Sequence, residues 1–315
     1  MLPFGRRDFL RTTLGFTALP LLRTVLGQTP PRIQPAKVTE RIYMISGDGG
    51  NIGLILGDNG LMMIDGGYAN RAGTLQQIVA GVDRHPVKIL FNTHWHVDHA
   101  GSNELLGKDG VKIIAHQNTK YWLSRSVTSN AFATPSGPLK PEGLPSQVFI
   151  DGGRLTFGKE KCEYKWIPES HTNGDAYLFF PSANVLHTGD LFFHTTWPVI
   201  DYTTGGWIGG MATALDKLLR VGDEKTQIIP GHGPLAAKSD MRETRDMLHT
   251  AHDRLDRLSK KGATMEEVAK ENPLADLEPK WGQGFLKGDR FLRMAYPSIA
   301  IHAEAVKSLG NKHEG

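Results

Sequence analysis

His94-Trp95-His96-Val97-Asp98-His99 puts four side chains with metal-binding atoms into six consecutive residues. The block follows an apolar run at 87–91 with the length of a buried strand, and it precedes Gly101 and a helix predicted over 102–106. In an extended segment, residues two apart face the same way. His94 and His96 can therefore hold one ion together, while Asp98 and His99, past the bend, can turn toward a second. Imidazole nitrogen and carboxylate oxygen suit zinc, and three protein ligands leave an open position for water.

Three further candidates follow predicted strands. His171 stands in Glu169-Ser170-His171-Thr172-Asn173-Gly174-Asp175, Asp190 in His187-Thr188-Gly189-Asp190, and His232 in Pro230-Gly231-His232-Gly233. Rigid strands delivering ligands to one sheet edge, with glycines allowing close backbone approach, give the set a common logic.

With Ile64-Asp65-Gly66-Gly67 added, these motifs resemble the metallo-β-lactamase-fold hydrolase superfamily over residues 38 to 236. The resemblance implies an α/β fold, an αββα sandwich. It assigns His94, His96 and His171 to one zinc, Asp98, His99 and His232 to a second, and makes Asp190 the bridge. Antibiotic-hydrolysing members usually carry Cys or Ser where Asp190 stands, so the bridging Asp looks more like glyoxalase II and the lactonases. The single Cys, Cys162, lies on a predicted strand before His171 and cannot supply that ligand. It also excludes an internal disulfide framework. Downstream of Asp190 no Lys or Ser motif stands out for gripping a β-lactam carboxylate.

Two zinc ions sharing an activated hydroxide would need no Ser or Cys nucleophile, and Asp98 or Asp190 could relay the proton. The expected reaction is hydrolysis of a lactone, ester, thioester or lactam. The same donors suit iron, so a mononuclear iron oxygenase acting on persulfides is the alternative. Asp65 is the leading candidate for orienting a ligand loop. Asn51, Thr93 and Asp175 read as structural, as do His116, His187 and His194, while His249 and His252 are expected to face solvent. Trp122, Phe132, Phe192, Trp197, Tyr202 and Trp207 are candidates for an apolar substrate wall.

Around these motifs, strand-like runs at 41–46, 53–56, 61–64, 111–115, 147–150, 154–157, 160–167, 176–180, 184–187 and 226–229 alternate with helical periodicity at 69–82, 211–221, 238–261 and 295–309. Residues 124–146, with Pro135, Pro138, Pro141 and Pro145, read as a loop. No linker divides the chain, so residues 28–315 are expected to form one domain.

Residues 1–27 carry Arg6-Arg7-Asp8-Phe9-Leu10-Arg11, a twin-arginine signature, followed by an uncharged run too short to span a bilayer. Four arginines against one aspartate in this segment account for the whole net charge of +3, so the remainder of the 315-residue chain is balanced. That removes the main electrostatic argument for a nucleic-acid partner. The expectation is export by the twin-arginine machinery to the periplasm or beyond, no stable membrane insertion, and a small-molecule substrate.

Overall fold

Alternating apolar residues on strands buried on both faces build the framework of the computed structural model, which describes residues 33–310 apart from 47–48 and 133–134. The expected export signal at 1–27 lies outside the described residues, as does His313. The first half runs β1 (Gln34–Lys37), β2 (Ile42–Ser46), β3 (Ile52–Leu56), β4 (Leu61–Ile64), α1 (Ala72–Val82), β5 (Val87–Asn92), α2 (Val97–Ala100), α3 (Asn103–Lys108), β6 (Lys112–His116), α4 (Gln117–Leu123) and β7 (Gln147–Phe149). Its sheet has seven strands in sequence order, antiparallel from β1 to β4 and parallel from β4 to β7.

The second half comprises β8 (Gly152–Phe157), β9 (Glu160–Trp166), β10 (Ala176–Phe180), β11 (Val185–Phe193), α5 (Ile208–Leu218), β12 (Gln227–His232), α6 (Lys238–Lys260), α7 (Met265–Glu271), α8 (Glu278–Trp281) and α9 (Gly288–Gly310). Its five strands are ordered β12-β11-β10-β9-β8, with only β11 and β12 parallel.

The period of two along each strand sorts the apolar residues into three layers. Met62 and Ile64 of β4 meet Phe91, Cys162, Leu178, Val185 and Ile229 between the two sheets. Leu61 and Met63 turn the other way, onto Leu75 and Val79 of α1. On the far side, Leu186 and Ile228 pack against Leu215 of α5, Leu248 of α6 and Phe291 of α9. The order is therefore helix, sheet, sheet, helix, the expected αββα sandwich. Each fully buried Leu, Ile or Phe in these layers contributes about 1.5–3 kcal/mol. Cys162 is an inert core thiol whose titration burial pushes up.

All described residues fall in one compact unit, Pro31–Gly315. None of their helices is long and apolar enough to cross a membrane. Three expectations need correction. The strand expected at 184–187 continues to Phe193, because its pairing with β12 resumes past the irregularity around Gly189. Helices α4, α7 and α8, of seven, seven and four residues, are too short to print a clear periodicity. His252 is only 24% exposed, its ring lying 5.7 Å from Trp207.

Candidate metal centre

Residues at or just after the ends of β5 and β12, within β11 and in the loop after β9 come together in one place. His94 leaves β5 directly, Asp190 sits within β11 beside a register shift, and His232 is the last residue of β12. Such a shift re-aims a side chain that regular pairing would direct elsewhere. His171 stands in the loop after β9, closed by Asp175, which accepts from the Thr172 amide at 2.7 Å and hydroxyl at 2.5 Å.

All seven sequence-predicted residues meet here. His94, His96, His171 and Asp190 form one group able to hold a cation, and Asp98, His99 and His232 form another. The first four are buried, as are Asp98 and His99, whereas His232 edges the opening. His99 Nε2 lies 3.4 Å from His232 Nε2, and Asp98 Oδ2 lies 3.3 Å from His232 Nε2. Donors about 2.0–2.1 Å from a tetrahedral ion sit roughly 3.4 Å apart, so this spacing fits a metal. His94 Nε2 is buried and makes no hydrogen bond in the structure, as expected for an atom reserved for an ion.

The other ring nitrogens are already engaged. His99 Nδ1 is 2.8 Å from Asp65 Oδ2, His96 Nε2 is 2.9 Å from Asp201 Oδ2, and His171 Nδ1 is 2.7 Å from the Val199 carbonyl. His94 Nδ1 lies 3.1 Å from the Thr93 hydroxyl, which itself donates to Asp65 at 2.7 Å. These contacts fix each ring's orientation and turn its opposite nitrogen toward the cluster, where His96 Nδ1 and His171 Nε2 lie 2.8 Å apart.

Burial drives His94 well below its ordinary range, with His99 adding to the shift, and burial takes His171 down to about 4. Both are neutral and able to donate a lone pair. Burial also opposes charge on His99 and His232, but Asp190 and Asp98 outweigh it, raising His99 well above its usual value and His232 to about 9. Those histidines in turn hold the carboxylates ionised against burial, Asp98 at about 2 and Asp190 well below the usual range. A cation entering the second group thus displaces protons.

Two glycines are required by close approach. A Cβ on Gly50 would run into the His99 ring, and one on Gly231 would strike Asp190 Oδ1. Asn51 holds the same region by donating to the carbonyls of Pro230 at 2.9 Å and Gly233 at 2.8 Å.

The sequence matches the Metallo-beta-lactamase superfamily over residues 45–237. The chain belongs to that family. Among curated superfamily relatives, a metallo-beta-lactamase of Chryseobacterium indologenes is 23% identical over 52% of this chain and 63% of its own length. The (R)-specific secondary-alkylsulfatase of a Pseudomonas species is 24% identical over 86% of this chain and 47% of its own length. The chain thus spans less than two thirds of either relative. Among solved superfamily folds, a metallo-beta-lactamase from Pontibacter korlensis superposes with a TM-score of 0.58 at 17% identity, covering 69% of this chain and 99% of that one. A sec-alkylsulfatase from Pseudomonas gives 0.64 at 20% identity, covering 84% and 50% respectively.

Within this family frame, several residues depart from what the sequence suggested. Asp201 was not foreseen, although Asp201-Tyr202-Thr203-Thr204 carries a local signal. Its carboxylate accepts from the Thr203 and Thr204 amides at 3.1 and 3.3 Å, an Asx-type turn. Of the candidate wall aromatics only Phe132 lines the cavity of about 750 Å³ above the cluster, joined there by Phe285, Leu286 and Arg290 from beyond α8. Trp122 lines a separate groove, Phe192 and Trp197 are core, and Trp207 stacks on His302 at 3.8 Å. His116 and His187 are buried structural residues: His116 accepts from the Asn118 amide and stacks on Trp166 at 4.7 Å, and His187 accepts from the Gly189 amide at 3.2 Å.

Proposed function

We propose that this protein is an exported dizinc hydrolase that cleaves a lactone, ester, thioester or β-lactam. The position of Asp190 carries the reading. Its Oδ2 lies 3.4 Å from His171 Nε2 in one group, while its Oδ1 lies 3.1 Å from His99 Nε2 in the other. A carboxylate so placed can serve both ions, with His94, His96 and His171 holding one and Asp98, His99 and His232 the other. The complete second triad favours two ions over the mononuclear iron centre of an oxygenase. Nitrogen and carboxylate donors without a thiolate suit zinc in both positions.

Zinc bound there supplies Lewis-acid polarisation of the scissile carbonyl and water activation near neutral pH. The chain's own residues do the rest. Asp65, Asp201 and the Val199 carbonyl keep three imidazoles from rotating, so the donor geometry is set before substrate arrives. Asp98 and Asp190 both line the cavity, and either carboxylate could take a proton and return it to the leaving atom. Phe132 and Phe285 add apolar surface to the cavity lining. Export rests on Arg6-Arg7-Asp8-Phe9-Leu10, and the substrate range on the Asp at position 190. The relatives bear names as different as a β-lactamase and an alkylsulfatase, so family membership leaves the scissile bond open.

The test pairs metal analysis with a hydrolysis screen of lactones, carboxyl esters, thioesters, a cephalosporin and a phosphodiester. Two zinc per chain and turnover of a carboxyl derivative are expected, with Asp190→Asn losing both metal and turnover. About one iron and no zinc would overturn the reading. Periplasmic recovery that is lost when Arg6 and Arg7 become lysines tests the export claim.

A further inference from the structure

Arg290 reaches the cavity above the metal-binding cluster from α9, outside the residues 45–237 that carry the family match. Among the described residues lining that cavity it is the one Lys or Arg, the other charged groups besides histidine being Asp98 and Asp190. Its Nη2 donates to the Ala131 carbonyl at 2.9 Å, and among the described residues no carboxylate pairs with it. A guanidinium has five N–H donors in a planar fork, so most of its hydrogen-bonding capacity remains for an incoming group.

The backbone bond to Ala131 sets Arg290 beside Phe132, whose ring stands edge-on to His96 at 4.8 Å. Phe285, which also lines the cavity, is 59% exposed, and its ring lies 5.4 Å from that of His232. Val199 and Leu286 complete an apolar lining directly over the ligand residues. A large exposed phenyl against a half-buried imidazole leaves apolar surface in water, which an apolar ligand would cover. The cavity therefore offers two kinds of recognition: apolar walls over the cluster, and a guanidinium that no carboxylate among the described residues pairs with directly.

We propose that Arg290 recognises an oxyanion, a carboxylate or sulfonate-like group, on a ligand whose apolar body rests between Phe132 and Phe285. Resting on the hydrolase reading, the ligand is then an amphiphilic anionic substrate, with the anion held away from the reacting carbonyl. A planar fork prefers two-oxygen anions over neutral polar groups, because both oxygens can accept in parallel.

The binding test uses probes with no bond for the enzyme to cleave: 4-phenylbutyrate, 3-phenylpropane-1-sulfonate and neutral 4-phenylbutan-1-ol, titrated calorimetrically into the metal-loaded protein. Wild type is expected to bind at least one anion more tightly than the alcohol, and the tighter of the two names the oxyanion. Arg290→Met should weaken that anion about tenfold or more, as for loss of a charge-assisted hydrogen bond, with a much smaller effect on the alcohol. Arg290→Lys should recover part of the loss, and Phe285→Ala should weaken all three probes alike. Equal loss for anion and alcohol in Arg290→Met would mean that Arg290 only secures the Ala131 segment. Undiminished anion binding would place the anion elsewhere, on the metals for instance, and either result overturns the proposal, as does a wild-type preference for the alcohol. Turnover in the ester screen is read separately, so a failure here leaves the hydrolase reading standing, and the converse.

Discussion

Asp65 and His99 are both completely buried, and the Asp65 carboxylate meets the His99 Nδ1 at 2.8 Å. The same carboxylate accepts from the Thr93 amide at 2.8 Å and the Thr93 hydroxyl at 2.7 Å, so one side chain ties the turn of β5 to a ligand on α2. Asp65 adopts a left-handed φ of 64°, a conformation uncommon for a residue with a Cβ. Asp65→Asn keeps the shape but offers an N–H where an acceptor is needed. Metal affinity, measured by competition with a chromogenic chelator, should fall about 10- to 100-fold. An unchanged affinity would show that His99 is held by packing alone.

Asp201 does for His96 what Asp65 does for His99, from a turn 105 residues away in sequence. Asp201→Ala also strips the Thr204 hydroxyl of its acceptor at 2.9 Å. Denaturant unfolding should show a loss of about 1–3 kcal/mol from the buried groups left unsatisfied, accompanied by weaker metal binding. Asp201→Asn, able to accept from Thr204 still, should recover stability more than metal affinity.

At Gly231 the constraint is steric. Gly231→Ala drives a methyl group against Asp190 Oδ1 and displaces the carboxylate shared by the two ligand groups. Turnover and metal content are expected to drop together while the far-UV circular dichroism spectrum stays native. Full activity in this variant would show that β12 yields easily at its end.

His187 supplies a pH dependence outside the ligand set. Burial lowers it to about 4, against about 6.5 when unfolded. A depressed imidazole favours the folded state when neutral, so its contribution is complete above pH 6.5 and is lost as pH falls toward 4. Linkage puts the loss at roughly 3 kcal/mol over that window. His187→Gln, followed by urea midpoints in chelator-treated protein from pH 7 to 4.5, should show a shallower decline than wild type. Parallel curves would assign the acid sensitivity to other groups.

How much could be read in advance follows the range of each signal. The candidate donor positions were legible because short buried strands, glycine turns and donor residues lie next to one another in the chain. The layer order was implied by the resemblance, and continuous apolar runs such as Leu61-Met62-Met63-Ile64, buried along their whole length, agree with it. The helix at 265–271 was missed although Thr264 and Glu267 form a reciprocal capping box, with Thr264 N to Glu267 Oε2 at 2.8 Å and Glu267 N to Thr264 Oγ1 at 3.2 Å. That spacing was present to be read. Asp201 had its turn signature, but nothing local pointed from that turn to His96.

Sequence alone marked the candidate donors at predicted strand ends, and the resemblance those motifs carry implied the sandwich, since each motif spans only a few residues of chain. Only the tertiary structure decided which carboxylates and carbonyls hold the imidazoles, and which groups surround the cavity. Asp201 reaches His96 across 105 residues, and Arg290 reaches Ala131 across 159. Contacts at such separations leave no periodicity in the chain, because they exist only once packed sheets and helices have brought the segments together.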